Sequence, residues 1–284
     1  MPLFERIEFG SGHGTNTGIY PRFYLQVREI AKISKKSKDE IDDVFWTFHQ
    51  QVIPDITDFY DIYHDIKNVY DDYNTGLRNG IYFKLDDQGT FVHNRKPEIE
   101  FINKSKMFFI KGRILLNNFS KSSILKNEYF DLELLLLVKE TNFQKNKNKL
   151  LRKDPIQKYS RLFELTEEAR KEFLMEFNQI RAEIEHNNFK IAPFQIQVEK
   201  EQVLVTEPSI FNDFLIDKMT FYYHRILRTL ELLMVWFYAI QAYFAWNQTL
   251  TLFRREEFDP KKLYYEFIML PRVQEGNLIQ LIFP

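Results

Sequence analysis

The sequence predicts an all-α fold, mainly a helical bundle, with one or two small β-hairpin excursions. Three observations carry this. Only 9 of the 284 residues are glycine, against 28 Phe and 15 Tyr, which suits long packed helices better than a turn-rich β architecture. Apolar residues recur at spacings of three and four through several long runs. Alternation of apolar and polar residues is confined to two short stretches, 80–94 and 194–208.

The elements follow in chain order. Residues 10–18, GSGHGTNTG, hold four of the nine glycines and read as a flexible loop. The loop lacks both the full G-x-G-x-x-G spacing and a following Gly-Lys-Ser/Thr, so it is not a phosphate cradle. A short helix is expected at 22–33, and a longer one at 38–73, broken or kinked at Pro54. GIYFKLDDQGTFVHN (80–94) predicts a hairpin turning around Asp87-Gln88-Gly89. Helices are expected at about 97–126, 128–148 and 156–187. The extended stretch 194–208 precedes a long aromatic helix at about 211–253, and the apolar tail NLIQLIFP is expected to dock on the body. Residues 1–95 are expected to form N-terminal helices and a hairpin packed on a bundle made by 96–284.

Within the aromatic helix, TLELLMVWFYAIQAYFAW (229–246) is long enough to cross a bilayer, which takes about 20 apolar residues. Glu231 and Gln241 lie inside it, and Arg225, Arg228, Arg254 and Arg255 flank both ends. An internal charge and symmetric basic flanks fit a central bundle helix, not a membrane span. Apolar residues form 44% of the chain and charged residues 28%, as in soluble globular proteins. No cysteine is present, which excludes disulfides, thiolate zinc sites and cysteine nucleophiles. The start MPLFERIEFG lacks the basic and apolar segments of a signal peptide, so a cytoplasmic location is expected. No G-x-S-x-G or H-E-x-x-H occurs, nor any zinc-finger or RNP signature, and His49, His64, His93 and His224 are scattered singly.

Charge is distributed unevenly around a total of −1. Residues 38–73 carry ten acidic and two basic side chains, residues 103–126 six basic and none acidic. KNKNKLLRKDPIQKYSR (145–161) carries seven basic and one acidic. Such runs are commonly solvated helix faces; they also focus positive potential and attract phosphates. On the second reading Lys149, Arg152, Lys153, Lys158 and Arg161 are candidate RNA contacts.

The last basic run leads into MEFNQIRAEIEHNNFKI (175–191). Phe173, Phe177, Ile180 and Ile184 are spaced as the buried stripe of a helix, with Arg181 at its flank. His186 lies roughly 140° further round a regular helix, so the two side chains converge only at a helix end or across a symmetric dimer. Arg181 and Glu185 also stand at i,i+4, the spacing of a surface ion pair.

Arg181-x4-His186, late in a core helix and within IRAEIEH, resembles the Arg-x4-6-His signature of HEPN domains. The resemblance implies a HEPN-like bundle over roughly 97–253 and metal-independent RNA cleavage at a homodimer interface, without a cofactor. Arg181 would hold the scissile phosphate and His186 would move a proton, supported by Glu183 and Glu185. Ala182 follows the Arg where active members commonly carry a polar residue, which keeps a non-catalytic dimerising or partner-binding scaffold as the alternative. Glu183-x-x-His186 also has the ligand spacing of di-iron bundles, but its nearest echo is Asp61-x-x-His64.

Overall fold

The computed structural model describes residues 50–85, 91–122, 140–153, 166–186, 188–199, 202–245, 248–254, 265–271 and 279–282, with 39, 43, 46 and 47 as isolated positions. The loop expected at 10–18, the helix at 22–33 and the hairpin turn at 87–89 lie outside these residues.

The described chain is mainly helical with small hairpins. Helix α1 spans Ile53–Arg78, strands β1 and β2 span Phe83–Leu85 and Phe91–His93, and helix α2 spans Lys96–Lys121. Helix α3 is Glu140–Lys153 and helix α4 is Met175–Glu185, entered through a π turn at Arg170–Leu174. Strands β3 and β4 (Gln195–Glu199, Gln202–Thr206) and β5 and β6 (Ser209–Ile210, Asp213–Phe214) form two further hairpins before helix α5, Leu215–Ala245. Strands β7 (Gln248–Arg254), β8 (Tyr265–Pro271) and β9 (Ile279–Ile282) make a three-stranded sheet in the order β8-β7-β9. Strand β8 is antiparallel to β7 and β9 is parallel to it.

The predicted break near Pro54 is present: the helix is interrupted at Val52, and α1 starts one residue before the proline. This puts Pro54 in the first turn, where its missing N–H costs nothing. The predicted hairpin at 80–94 forms, with Phe83 opposite His93. Two expectations for the last long helix need correction. It begins at Leu215, because residues 209–214 close into a hairpin whose turn places Phe211 and Asn212 at φ 51° and 69°. It ends at Ala245 instead of continuing to 253, because TLTLF alternates β-favouring residues and pairs as β7. Part of the apolar tail accordingly becomes β9.

The chain groups into two compact units. One is formed by Pro54–Phe119 with Leu165–Leu230, the other by the described residues of Met1–Ile53, Ser120–Glu164 and Glu231–Pro284. Among the described residues no helix is long and apolar enough to cross a membrane. Up to Leu230, α5 buries Leu215, Met219, Tyr222, Tyr223, Ile226 and Leu227 while exposing Asp217, Phe221 and His224.

The 54–119/165–230 unit has an aromatic core. Phe59 stacks on Phe108 at 4.8 Å between centroids, and Phe177 meets Phe109 at 5.4 Å and Tyr222 at 5.3 Å. Helices α1 and α2 run antiparallel and are joined across their exposed edges by Asp55–Asn118, Asp58–Lys111 and Asp65–Lys104 contacts. The acidic run and the first basic run of the sequence thus meet each other. At the other end, the fully buried Glu98 accepts hydrogen bonds from Arg95 Nε (2.6 Å) and the Phe194 backbone N–H (2.8 Å), tying α2 to the start of the β3–β4 hairpin. Beside it the Tyr73 hydroxyl is hydrogen-bonded to His93 Nε2 at 2.7 Å.

Candidate functional site

The helical run 166–185 carries the Arg181 motif. Its π turn is closed by the Met175 N–H bonding to the Arg170 carbonyl, and from Met175 onward the helix is regular. Phe173, Phe177 and Ile180 are buried as the spacing predicts, and Ile184 is half-buried. Asn178, Arg181 and Glu185, at i, i+3 and i+7, share the face beside that stripe.

Opposite this face stands Arg113 of α2, a residue that sequence reasoning did not single out. Its neighbour Gly112 is the reason it comes close: a Cβ on Gly112 would lie 2.7 Å from Phe177 Cζ and 2.8 Å from Phe59 Cε2. Glycine in a helix interior costs about 1 kcal/mol relative to alanine, and here it permits α2 to approach both neighbours. Arg113 Nη1 then donates to Asn178 Oδ1 at 2.8 Å. The usable signal was a lone glycine next to an arginine within the basic run of a long helix.

Electrostatics single out the same group. Burial, then the like charge of Arg181, lowers the Arg113 pKa from its ordinary value, while the Glu185 carboxylate pulls it back up. Among the described residues no carboxylate forms an ion pair with Arg113. Arg181 Nη2 is paired with Glu185 Oε1, as the i,i+4 spacing predicted.

His186 is the C-cap of α4 and is exposed; its backbone N–H bonds to the Ala182 carbonyl at 3.1 Å. Among the described residues its ring takes no hydrogen bond or ion pair. The helix end is closed by the Asn188 and Phe189 N–H groups on the Glu183 carbonyl, at 2.8 and 3.1 Å. The Glu183 side chain accepts from Gln179 Nε2 at 3.0 Å and turns away from the arginines. Arg181 is therefore brought together with Arg113, Asn178 and Glu185, and no hydrogen bond joins it to His186.

The other predicted residues are not joined to this group. Lys149, Arg152 and Lys153 lie in α3, in the other unit, and Lys158 and Arg161 lie outside the described residues. Among the described residues no three His, Asp or Glu side chains gather into a group that could hold a metal ion. His64 instead packs against the rings of Tyr60 and Tyr63, at 4.1 and 5.2 Å between centroids. No family model, curated protein or solved structure matches the chain.

Proposed function

We propose that the chain is a HEPN-type, metal-independent endoribonuclease that acts in the cytoplasm as a homodimer. One observation supports this most: an exposed, unengaged imidazole at the end of α4, one turn beyond a guanidinium that lies beside a second guanidinium. Cations in a partly desolvated setting hold a phosphodiester more strongly than cations in water. In the reaction the ribose 2′-oxygen attacks phosphorus and the P–O5′ bond breaks, giving a 2′,3′-cyclic phosphate and a 5′-hydroxyl. The 2′-hydroxyl proton goes to a base, and the leaving oxygen receives a proton from an acid. Imidazole serves either step near neutral pH. Arg181 and His186 diverge on one helix, so Arg181 of one protomer would work with the partner's His186. Lys149, Arg152, Lys153, Lys158 and Arg161 would extend the RNA path.

A second reading, a non-catalytic dimerising or partner-binding scaffold, is favoured by the engagement of Arg181 with Glu185 and by Ala182 next to it. Incubation with mixed RNA in EDTA separates the two. Under the first reading the wild type cleaves, and Arg181→Ala and His186→Ala do not, at unchanged circular dichroism. Absence of cleavage, or equal cleavage by all three, would establish the scaffold reading.

A further inference from the structure

Arg113 has five N–H donors, and among the described residues its side chain makes one hydrogen bond, to a neutral amide. It is held by α2 against the face of α4 from which Arg181 projects, at the point where Gly112 lets the helices close up. The neighbouring bases of the same run are spent elsewhere: Lys104 and Lys111 reach across to Asp65 and Asp58 of α1. Two guanidinium groups thus share one edge of the helix pair with a single carboxylate, Glu185, and one positive charge stays uncompensated there. Holding like charges together in a half-buried setting is unfavourable until an anion arrives.

We infer that Arg113 and Arg181 form an oxyanion site for a phosphate or phosphodiester group, and that Glu185 occupies this site in the free protein and is displaced by the ligand. The exposure of the two partners fits such an exchange. The Glu185 side chain is 45% exposed and that of Arg181 is 34% exposed, so the carboxylate can swing into water while the guanidinium stays anchored. A phosphate oxygen pair matches the fork of each arginine and replaces the carboxylate with a bidentate contact to both. In naming the phosphodiester of RNA as ligand, the inference rests on the ribonuclease reading. The anion site itself does not.

The test measures binding without cleavage. A fluorescent single-stranded oligodeoxynucleotide lacks the attacking 2′-hydroxyl and is titrated by anisotropy against the full chain. Arg113→Gln is expected to weaken binding about tenfold, the effect of losing a charged hydrogen-bond donor, with Arg113→Lys in between. Glu185→Gln is expected to tighten binding about fivefold by removing the internal competitor. Glu168→Gln makes the same charge change at an exposed position earlier in the helical run and is expected to tighten it less. Melting curves for each variant separate lost binding from lost folding, and the exposed Glu185 keeps that arm free of the problem. Unchanged or weaker binding by Glu185→Gln, or wild-type binding by a folded Arg113→Gln, overturns the inference. A second arm uses inorganic phosphate as competitor and as stabiliser in the melts. Stabilisation that depends on Arg113, with no oligonucleotide binding, keeps the anion site and removes the ribonuclease reading. Cleavage that needs Arg181 and His186 but ignores Arg113 does the reverse.

Discussion

Replacing Gly112 with alanine tests how the fold sets up the site. In an isolated helix the change would be favourable by about 1 kcal/mol. In this protein the new methyl would lie 2.7 Å from Phe177 Cζ and 2.8 and 3.3 Å from Phe59 Cε2 and Cζ. Both rings are fully buried and belong to different helices, so relieving one contact tightens the other. Overpacking of a dense core costs about 1–3 kcal/mol, and a clash on two sides belongs at the upper end. The net expectation is a loss of about 2 kcal/mol, read by urea denaturation followed by circular dichroism, with a fall in Tm on the order of 6 °C. Gly112→Ala with Phe177→Leu should recover part of the loss, with coupling of about 1 kcal/mol in the double-mutant cycle. A neutral or stabilised Gly112→Ala would refute the close approach of α2, and with it the account of why Arg113 reaches α4.

Other outcomes follow from the polar contacts. Glu98→Ala leaves the Phe194 N–H and Arg95 without their acceptor, and a destabilisation of about 3 kcal/mol is expected in the same denaturation assay. Burial lowers the His93 pKa, with Glu98 opposing and Arg95 adding to the shift, so the unfolded chain binds more protons below its ordinary value of about 6.5. Stability contributed by neutral His93 is therefore present above that pH and is lost as pH falls through it towards the depressed folded value. Melting between pH 7.5 and 5.5 should show a slope of up to about 1.4 kcal/mol per pH unit, which His93→Gln flattens. Lys104→Asp and Asp65→Lys should each cost up to about 1 kcal/mol singly and restore one another together, with the coupling fading in high salt.

The helices were legible because burial imposes a period. The Phe173–Phe177–Ile180 stripe, the break before Pro54 and the hairpin at 80–94 follow from side-chain spacing and backbone restriction, both local properties. Strand β7 was hidden because TLTLF directly follows a long apolar helix, and its pairing with β8 and β9 is a non-local choice that no window of residues contains. The site divided in the same way. The Arg181–Glu185 pair is an i,i+4 relation and was visible, whereas Arg113 enters through a contact between helices 65 positions apart in sequence. The uneven charge was plain, but its use was not: Lys104 and Lys111 answer the carboxylates of α1, which composition alone does not distinguish from a free basic surface.

The π turn at Arg170–Leu174 has a consequence for chain length. It accommodates one more residue than an α-helix would use over the same rise, so deleting a single residue there would restore regular winding. Everything beyond would then swing through roughly 100° about the helix axis. Phe177 and Ile180 would leave the core, and Asn178, Arg181 and Glu185 would turn from α2 together. A surface loop absorbs a one-residue deletion as slack, whereas this stretch would transmit it as rotation. The spacing between Leu165 and Arg181 is therefore as much a part of the site as the side chains themselves, and shortening it by one residue should abolish anion binding even with every site residue retained.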